Sequence, residues 1–233
     1  MVDAAIGGKN GVNLPTTEGL IKNQIGTFHL PKYVGLNPVW LKSLDSREIR
    51  SGWAEMAKHA IISNSSTIFE GIILLPEEFD VEYMAPLITI AAEIKHQIVK
   101  NDPLERGSRA KLNLGHTVAH ALESIAMESS THITHGEAVA WGLIFMFEAS
   151  VEKLGFDSER SSFYIKLIDE LIDQKIELPA AELVWHKMLK DKKNQFGNVT
   201  DILLPSEGNL KLDFIWNKEE FTILWEQFRK KHP

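Results

Sequence analysis

From about residue 45 onward, apolar residues recur every three to four positions, the spacing that gathers them on one face of an α-helix. In 46-SREIRSGWAEMAKHAIIS-63 the recurring set is Ile49, Trp53, Met56, Ala57, Ala60 and Ile61, which predicts a helix with Ser46 as its cap. The segment 80-DVEYMAPLITIAAEIKHQIVKN-101 predicts a second long helix, bent near Pro86, where a ring cannot continue the hydrogen-bond ladder. A loop over 102–108 follows, and further helices are expected at about 109–128, 135–154, 158–175 and 180–191. After Gly197 the period changes. The pieces 199-VTDILLP-205 and 210-LKLDFI-215, separated by 206-SEGN-209, predict a β-hairpin. The end, 218-KEEFTILWEQFRKK-231, is again an amphipathic helix.

Residues 1–44 have a different texture, rich in Gly, Pro and Asn, with short apolar pieces at 25–28 and 33–36 that predict turns and short strands. Met1–Ile6 reads as the end of a strand with nothing upstream to pair with, so the chain is expected to be a fragment that lacks its N-terminal part. The organisation is therefore mainly α: a helical domain over 45–233, preceded over 1–44 by the tail of another domain.

Composition narrows the chemistry. With 44% hydrophobic and 24% charged residues in 233, the chain has an ordinary globular balance. A net charge of -7 gives no electrostatic reason to expect nucleic acid or an anionic membrane as partner, although a local cluster of Lys and Arg could hold a small anion. There is no cysteine, so disulfides are excluded and any metal must be held by His, Asp or Glu. The apolar run 138-AVAWGLIFMF-147 is too short for a bilayer and reads as a buried helix. No basic-then-apolar signal opens the chain, and a cytoplasmic location is expected.

Four constellations could carry chemistry. Gly7-Gly8-Lys9, with Lys22-Asn23 after it, is either a plain turn with solvated lysines or a loop that meets an anion, and it lacks the spacing of a phosphate-binding loop. Glu55 and Lys58, three apart, make either a surface salt bridge or a buried ion pair. Arg109, Asn113, His116 and His120 advance in steps of four, three and four, a polar stripe along one helix, with Lys95 and Glu105 nearby in sequence. His132 and His135 precede the apolar helix. Two metal sites can be built from this set. In one, His116 and His120 both coordinate, but Thr117 stands where a metalloprotease needs its Glu. In the other, His116 joins His135 and a carboxylate such as Glu55. Spacing leaves both open.

Taken together, 3-DAAIGGKNGVN-13, 22-KNQIGTFHLP-31, 47-REIRSGWAEMAKH-59, Lys95, 105-ERGSRAKLNLGHTVAH-120, 135-HGEAVAWG-142 and 191-DKKN-194 resemble the 3-dehydroquinate synthases, within the sugar-phosphate cyclases, in family order over nearly the whole chain. The resemblance implies the helical, metal-binding C-terminal domain of that fold, with 1–44 as the tail of an α/β NAD-binding domain. It implies a metal site of Glu55, His116 and His135, holding zinc or cobalt, with His120 facing substrate instead. It places Asp3, Lys58, Glu105 and His120 in catalytic roles and Lys9, Asn23, Lys95, Arg109, Asn113 and Lys192 around the substrate. Lys9, Lys22, Trp40, Leu41, Lys42 and Ser43 match positions that touch NAD in the family.

The implied reaction converts 3-deoxy-D-arabino-heptulosonate 7-phosphate to 3-dehydroquinate and phosphate in the shikimate pathway. Lys95 and Arg109 suit the substrate's carboxylate, and Lys9, Asn23, Asn113, His120 and Lys192 its phosphate. The implied partners are this small sugar phosphate and, in the full-length form, a second copy; nucleic acid and membranes are not expected. Three departures stand out. The linker 14-LPTTEGLI-21 is a few residues longer than usual, Asn10 replaces a common Thr, and the glycine-rich turn of the NAD-binding half is absent. Poor NAD binding and little turnover are expected of the chain alone. The rival readings are a metal-dependent polyol or alcohol dehydrogenase, a cyclase for an uncarboxylated sugar phosphate, and a non-catalytic helical metal-binding fragment. A dehydrogenase needs no clamp of Lys9, Lys95, Arg109 and Lys192, and the pair Lys95 and Arg109 favours a carboxylated substrate.

Overall fold

A computed structural model describes residues 2–16, 19–73, 80–129, 131–191 and 198–233. The chain begins with an antiparallel hairpin, β1 (Lys9–Thr16) and β2 (Gly19–Phe28), and passes through a 3-10 turn, Pro38–Ser43. Three helices follow: α1 (Ser46–Ser63), α2 (Ser66–Ile73) and α3 (Val81–Asn101). A second 3-10 turn, Ser108–Asn113, leads to α4 (His116–Met127), α5 (His135–Leu154), α6 (Ser158–Asp169) and α7 (Ala181–Leu189). A second antiparallel hairpin, β3 (Val199–Ser206) and β4 (Asn209–Trp216), and α8 (Lys218–Lys231) complete it.

The apolar run at 138–147 forms the axis of the molecule. Ala138 to Phe147 lie in α5 and all are buried, the nine side chains among them at most 1% exposed. A helix that is apolar all round must be enclosed, and α1, α4, α6, α8 and β3 pack around this one. The far side of the enclosure is aromatic: the ring of Phe145 lies 5.2–5.8 Å from those of Trp216, Phe221, Trp225 and Phe228. Each fully buried side chain of this size contributes roughly 1.5–3 kcal/mol. Among the described residues no helix is long and apolar enough to cross a membrane.

Two glycines bring the neighbouring helices onto the first turns of α5. A Cβ at Gly142 would stand 1.9 Å from the carbonyl oxygen of Gly115, and one at Gly136 would stand 2.1 Å from that of Ser51. Only a residue without a side chain lets the backbones of α5, α1 and the entry to α4 meet so closely. This three-way contact positions the site.

Several expectations need correction. Asp45, rather than Ser46, caps α1, accepting from the Arg47 N–H at 2.9 Å, because the helix already begins at Ser46. Residues 109–128 do not form one helix. The chain breaks at Leu114–Gly115, where Gly115 takes φ 73°, and Arg109 and Asn113 belong to a separate 3-10 turn. Asp3–Ile6 is a turn closed by the Ile6 N–H on the Asp3 carbonyl, not a strand end, and 33–36 is in no strand. The helix from Ser158 stops at Asp169, short of 175, and α2 is an element that its eight residues left unread. The remaining helices and the β3–β4 hairpin stand where the patterning put them, to within two residues.

Candidate active site

Ten consecutive residues of α1, Trp53 to Ile62, are buried, and Glu55 and Lys58 are among them at 3% and 1% exposed. Their contact is therefore a buried ion pair, with Lys58 Nζ 2.5 Å from Glu55 Oε2. A buried carboxylate needs a cation. Burial by itself would raise the Glu55 carboxyl, but the Lys58 ammonium and the imidazoles of His116 and His135 outweigh it and hold the group well below the usual carboxylate range. Burial likewise opposes the charge on Lys58, and Glu55 and Asp3 reverse that effect and raise it.

The other carboxylate oxygen, Glu55 Oε1, faces two imidazoles. His135 Nε2 lies 3.1 Å away and His116 Nε2 3.5 Å away. Each ring is held through its far nitrogen: His116 Nδ1 lies 3.0 Å from the Leu114 carbonyl, and His135 Nδ1 lies 3.3 Å from Glu123 Oε1. With Nδ1 as the donor in each ring, both Nε2 lone pairs turn to the same point beside Glu55, the arrangement of a His-His-carboxylate metal site. Burial, then the Lys58 charge, pushes His116 down to about 4, so its ring is neutral as a ligand must be. Burial also opposes the charge on His135, but its contacts with Glu123 and Glu55 outweigh it and raise that ring to about 10, so a cation bound there displaces the Nε2 proton. The ligand atoms of Glu55, His116 and His135 all lie within 4.8 Å of one another. The ligand atoms of a second group, Asp3, Glu55 and His59, also lie within 4.8 Å of one another, but there the Lys58 ammonium, 3.6 Å from Asp3 Oδ1, already supplies the positive charge.

α5 presents His135 as its first residue, and an ion pair secures the approach. Glu137 closes a capping box on Thr134 and also takes two hydrogen bonds from Arg47, from Nε at 2.8 Å and Nη2 at 2.7 Å. Arg47 Nη2 donates in addition to the His132 carbonyl at 2.9 Å. His132 is thus part of this tether and His135 part of the metal group.

Around the group lies a chain of alternating charges. Asp3 Oδ1 accepts from Lys95 Nζ at 2.5 Å, and the Asp3 carbonyl accepts from the same ammonium at 2.6 Å. Arg109, buried, donates to the Gly7 carbonyl at 2.8 Å and the Pro103 carbonyl at 2.7 Å. Glu105 joins Lys9 to Asn113, ion-pairing with Lys9 and accepting from Asn113 Nδ2 at 2.8 Å. Its φ of 56° is a conformation that costs a non-glycine residue about 1–3 kcal/mol. The Asp102 carboxylate stabilises that bend by accepting from the N–H groups of Arg106, Gly107 and Arg109 at 2.8–3.0 Å. His120 Nδ1 lies 2.8 Å from Asp191 Oδ2, and the rings of His116 and His120 are 5.4 Å apart.

Asp3, Glu55, Lys58, Lys95, His116 and His135 are thus linked through direct contacts, and Lys9, Glu105 and Asn113 form a second linked set. Trp40, Leu41, Lys42 and Ser43 lie on the 3-10 turn packed against α3, with Trp40 exposed and Ser43 Oγ donating to the Trp40 carbonyl at 3.1 Å. Lys22 and Asn23 are on β2 by backbone, but their side chains, like all of Lys192, lie outside the described residues. Glu123, Asp191 and the Arg47–Glu137 tether were not singled out from the sequence. Glu123 carried a usable signal, standing seven residues after His116 and so on the same helical face.

Two family profiles match this chain: "3-dehydroquinate synthase C-terminal" over residues 52–194 and "3-dehydroquinate synthase N-terminal" over residues 1–51. The chain belongs to the 3-dehydroquinate synthase family. Within it, a 3-dehydroquinate synthase of Parabacteroides distasonis is 34% identical over 98% of this chain and 64% of its own length. A bifunctional 3-dehydroquinate synthase/phosphatase of Fusobacterium nucleatum is 40% identical over 96% of this chain and 33% of its own. The chain thus spans less than two thirds of the length of these relatives. The fold is shared with a 2-deoxy-scyllo-inosose synthase solved with carbaglucose-6-phosphate, NAD+ and Co2+, at a TM-score of 0.82 and 22% identity, over 97% of this chain and 63% of that one.

Proposed function

We propose that this chain carries the metal- and substrate-holding part of a 3-dehydroquinate synthase, the enzyme that converts 3-deoxy-D-arabino-heptulosonate 7-phosphate to 3-dehydroquinate and phosphate with NAD and zinc or cobalt. The observation that carries this reading is the meeting of Glu55, His116 and His135 beside the Asp3–Lys58–Lys95 cluster. The donor set fits a divalent cation: two imidazole Nε2 atoms already oriented through Nδ1, and one ionised carboxylate, a pattern that leaves positions open for substrate oxygens. For NAD, the residues carried over with described side chains are Lys9 and the turn at Trp40–Ser43, on which Trp40 is exposed. When bound, the cation supplies a Lewis acid and the dinucleotide a reversible hydride acceptor.

The chain's own residues bind and orient. Lys58 keeps Glu55 ionised, and Asp3, shared between Lys58 and Lys95, holds both ammonium groups at the floor of the site. Lys95 and Arg109 serve the substrate carboxylate by exchanging contacts they now make with Asp3, Gly7 and Pro103. Lys9 and Asn113, aligned by Glu105, serve the phosphate, joined by Lys192. Asp191 engages Nδ1 of His120 and so leaves Nε2 as the nitrogen that meets the phosphate.

Titration of the zinc-loaded chain with the heptulosonate phosphate tests this reading. Saturable, zinc-dependent binding is expected, with little turnover by the chain alone, and Lys95→Ala should weaken binding about tenfold to hundredfold, the worth of a charged hydrogen bond. Failure to bind would overturn this reading, and oxidation of a simple polyol with steady accumulation of NADH would point to a dehydrogenase instead.

A further inference from the structure

The two imidazoles of the metal group are oriented in different ways. His116 is buried, and its Nδ1 meets the carbonyl of Leu114, two residues back along its own chain. Backbone geometry therefore sets that ring. His135 is the first residue of α5 and its side chain is 42% exposed, so helix packing does little to hold its ring. What meets its far nitrogen is a side chain from another helix: Glu123 Oε1, 3.3 Å from Nδ1, on a carboxylate whose side chain is only 12% exposed. α4 carries His116, His120 and Glu123 at intervals of four and three, hence on one face, and that face is turned to the start of α5.

We propose that Glu123 is a positioning residue for the metal group: by accepting from His135 Nδ1–H, its carboxylate fixes the ring so that Nε2, 3.1 Å from Glu55 Oε1, is the nitrogen a cation takes up there. This inference rests on the metal reading above. An outer carboxylate of this kind both orients an imidazole and raises its strength as a ligand, and its loss lowers metal affinity by about tenfold to hundredfold. The contact also joins α4 to the first turn of α5, so the helix that supplies His116 sets the direction of His135 as well.

Zinc affinity of the whole chain, measured by competition with a chromophoric chelator, tests the role without any need for turnover. Glu123→Ala and Glu123→Asp, which remove or shorten the acceptor, should each weaken zinc about tenfold to hundredfold. Glu123→Gln should stay close to the parent, because its amide oxygen can still accept from Nδ1–H. With cobalt in place of zinc, the visible absorption bands should move in Glu123→Ala and Glu123→Asp and be retained in Glu123→Gln. A purely structural role would instead lower the thermal midpoint of the metal-free chain in all three variants and leave the cobalt bands of the folded fraction alone. If the parent binds zinc and the folded variants bind it equally well, the role of Glu123 is overturned while the metal group survives. A folded parent that binds no zinc would overturn both.

Discussion

Replacing Glu55 by alanine is expected to abolish metal binding and to destabilise the fold at the same time. Loss of the carboxylate removes a ligand, so affinity for zinc should fall by more than the roughly hundredfold that an outer partner accounts for. It also leaves Lys58, 1% exposed, with Asp3 Oδ1 at 3.6 Å as its remaining carboxylate contact among the described residues. Breaking a buried pair in this way costs about 3–5 kcal/mol, which in a chain of this size lowers the melting midpoint by roughly 10 °C. The double substitution Glu55→Ala with Lys58→Met separates the two effects. It should regain most of the stability, since an apolar pair can replace a buried ion pair, and none of the zinc. Glu55→Ala with parent-like melting and parent-like zinc binding would contradict the buried pair and the metal group together.

The second large effect is loss of stability in mild acid. His59 is fully buried on α1, neither ring nitrogen has a hydrogen-bond partner among the described residues, and burial, followed by the Lys58 charge, pushes it down to about 3. The charged groups that act on it are Lys58, Glu55, Asp3 and Lys95. Because the folded value lies below the ordinary histidine value, the unfolded chain takes up a proton that the folded chain refuses. The contribution is therefore complete above about pH 6.5 and is lost as the pH falls toward 3. At pH 4 the loss amounts to about 3 kcal/mol. His116, down to about 4, acts in the same direction, and Asp3 and Glu55, both lowered, add to it at still lower pH. Urea unfolding of the zinc-free chain at pH 7, 5.5 and 4 should show this decline, with a shallower one in His59→Leu. Parallel declines in parent and variant would remove His59 from the account.

Much of the fold could be read from residue patterning, because burial there follows a single period. The run at 138–147 has apolar residues on every face, and so had to become an enclosed helix. The period changes again ahead of β3, β4 alternates along its length, and the two strands fold back at a turn where Gly208 takes φ 70°. The stripe Arg109–Asn113–His116–His120 was misleading for a local reason: its spacing suits a helix, but Gly115 lies inside it in the left-handed region, with its carbonyl against Gly142. A glycine that serves a contact with a distant helix gives no sign of it in sequence.

The candidate site divides along the same line. Glu55, His116 and His135 are 61 and 19 residues apart, and spacing could not select that trio over the His116–His120 pair; the family resemblance did. The burial of Glu55 and Lys58 was invisible, since an i, i+3 pair reads identically on a surface and in a core. Arg47 and Glu137 meet across 90 positions, and Glu123 reaches His135 across a loop, so no periodicity announces either. What patterning cannot show is which helices cross. Here the crossing is set by two glycines on α5.

Anomalous diffraction at the zinc edge from crystals of the zinc-loaded chain tests the metal group most directly. One peak is predicted, about 2.0–2.2 Å from a Glu55 oxygen and from Nε2 of both His116 and His135. A peak between His116 and His120, or zinc confined to surface carboxylates, would contradict the account.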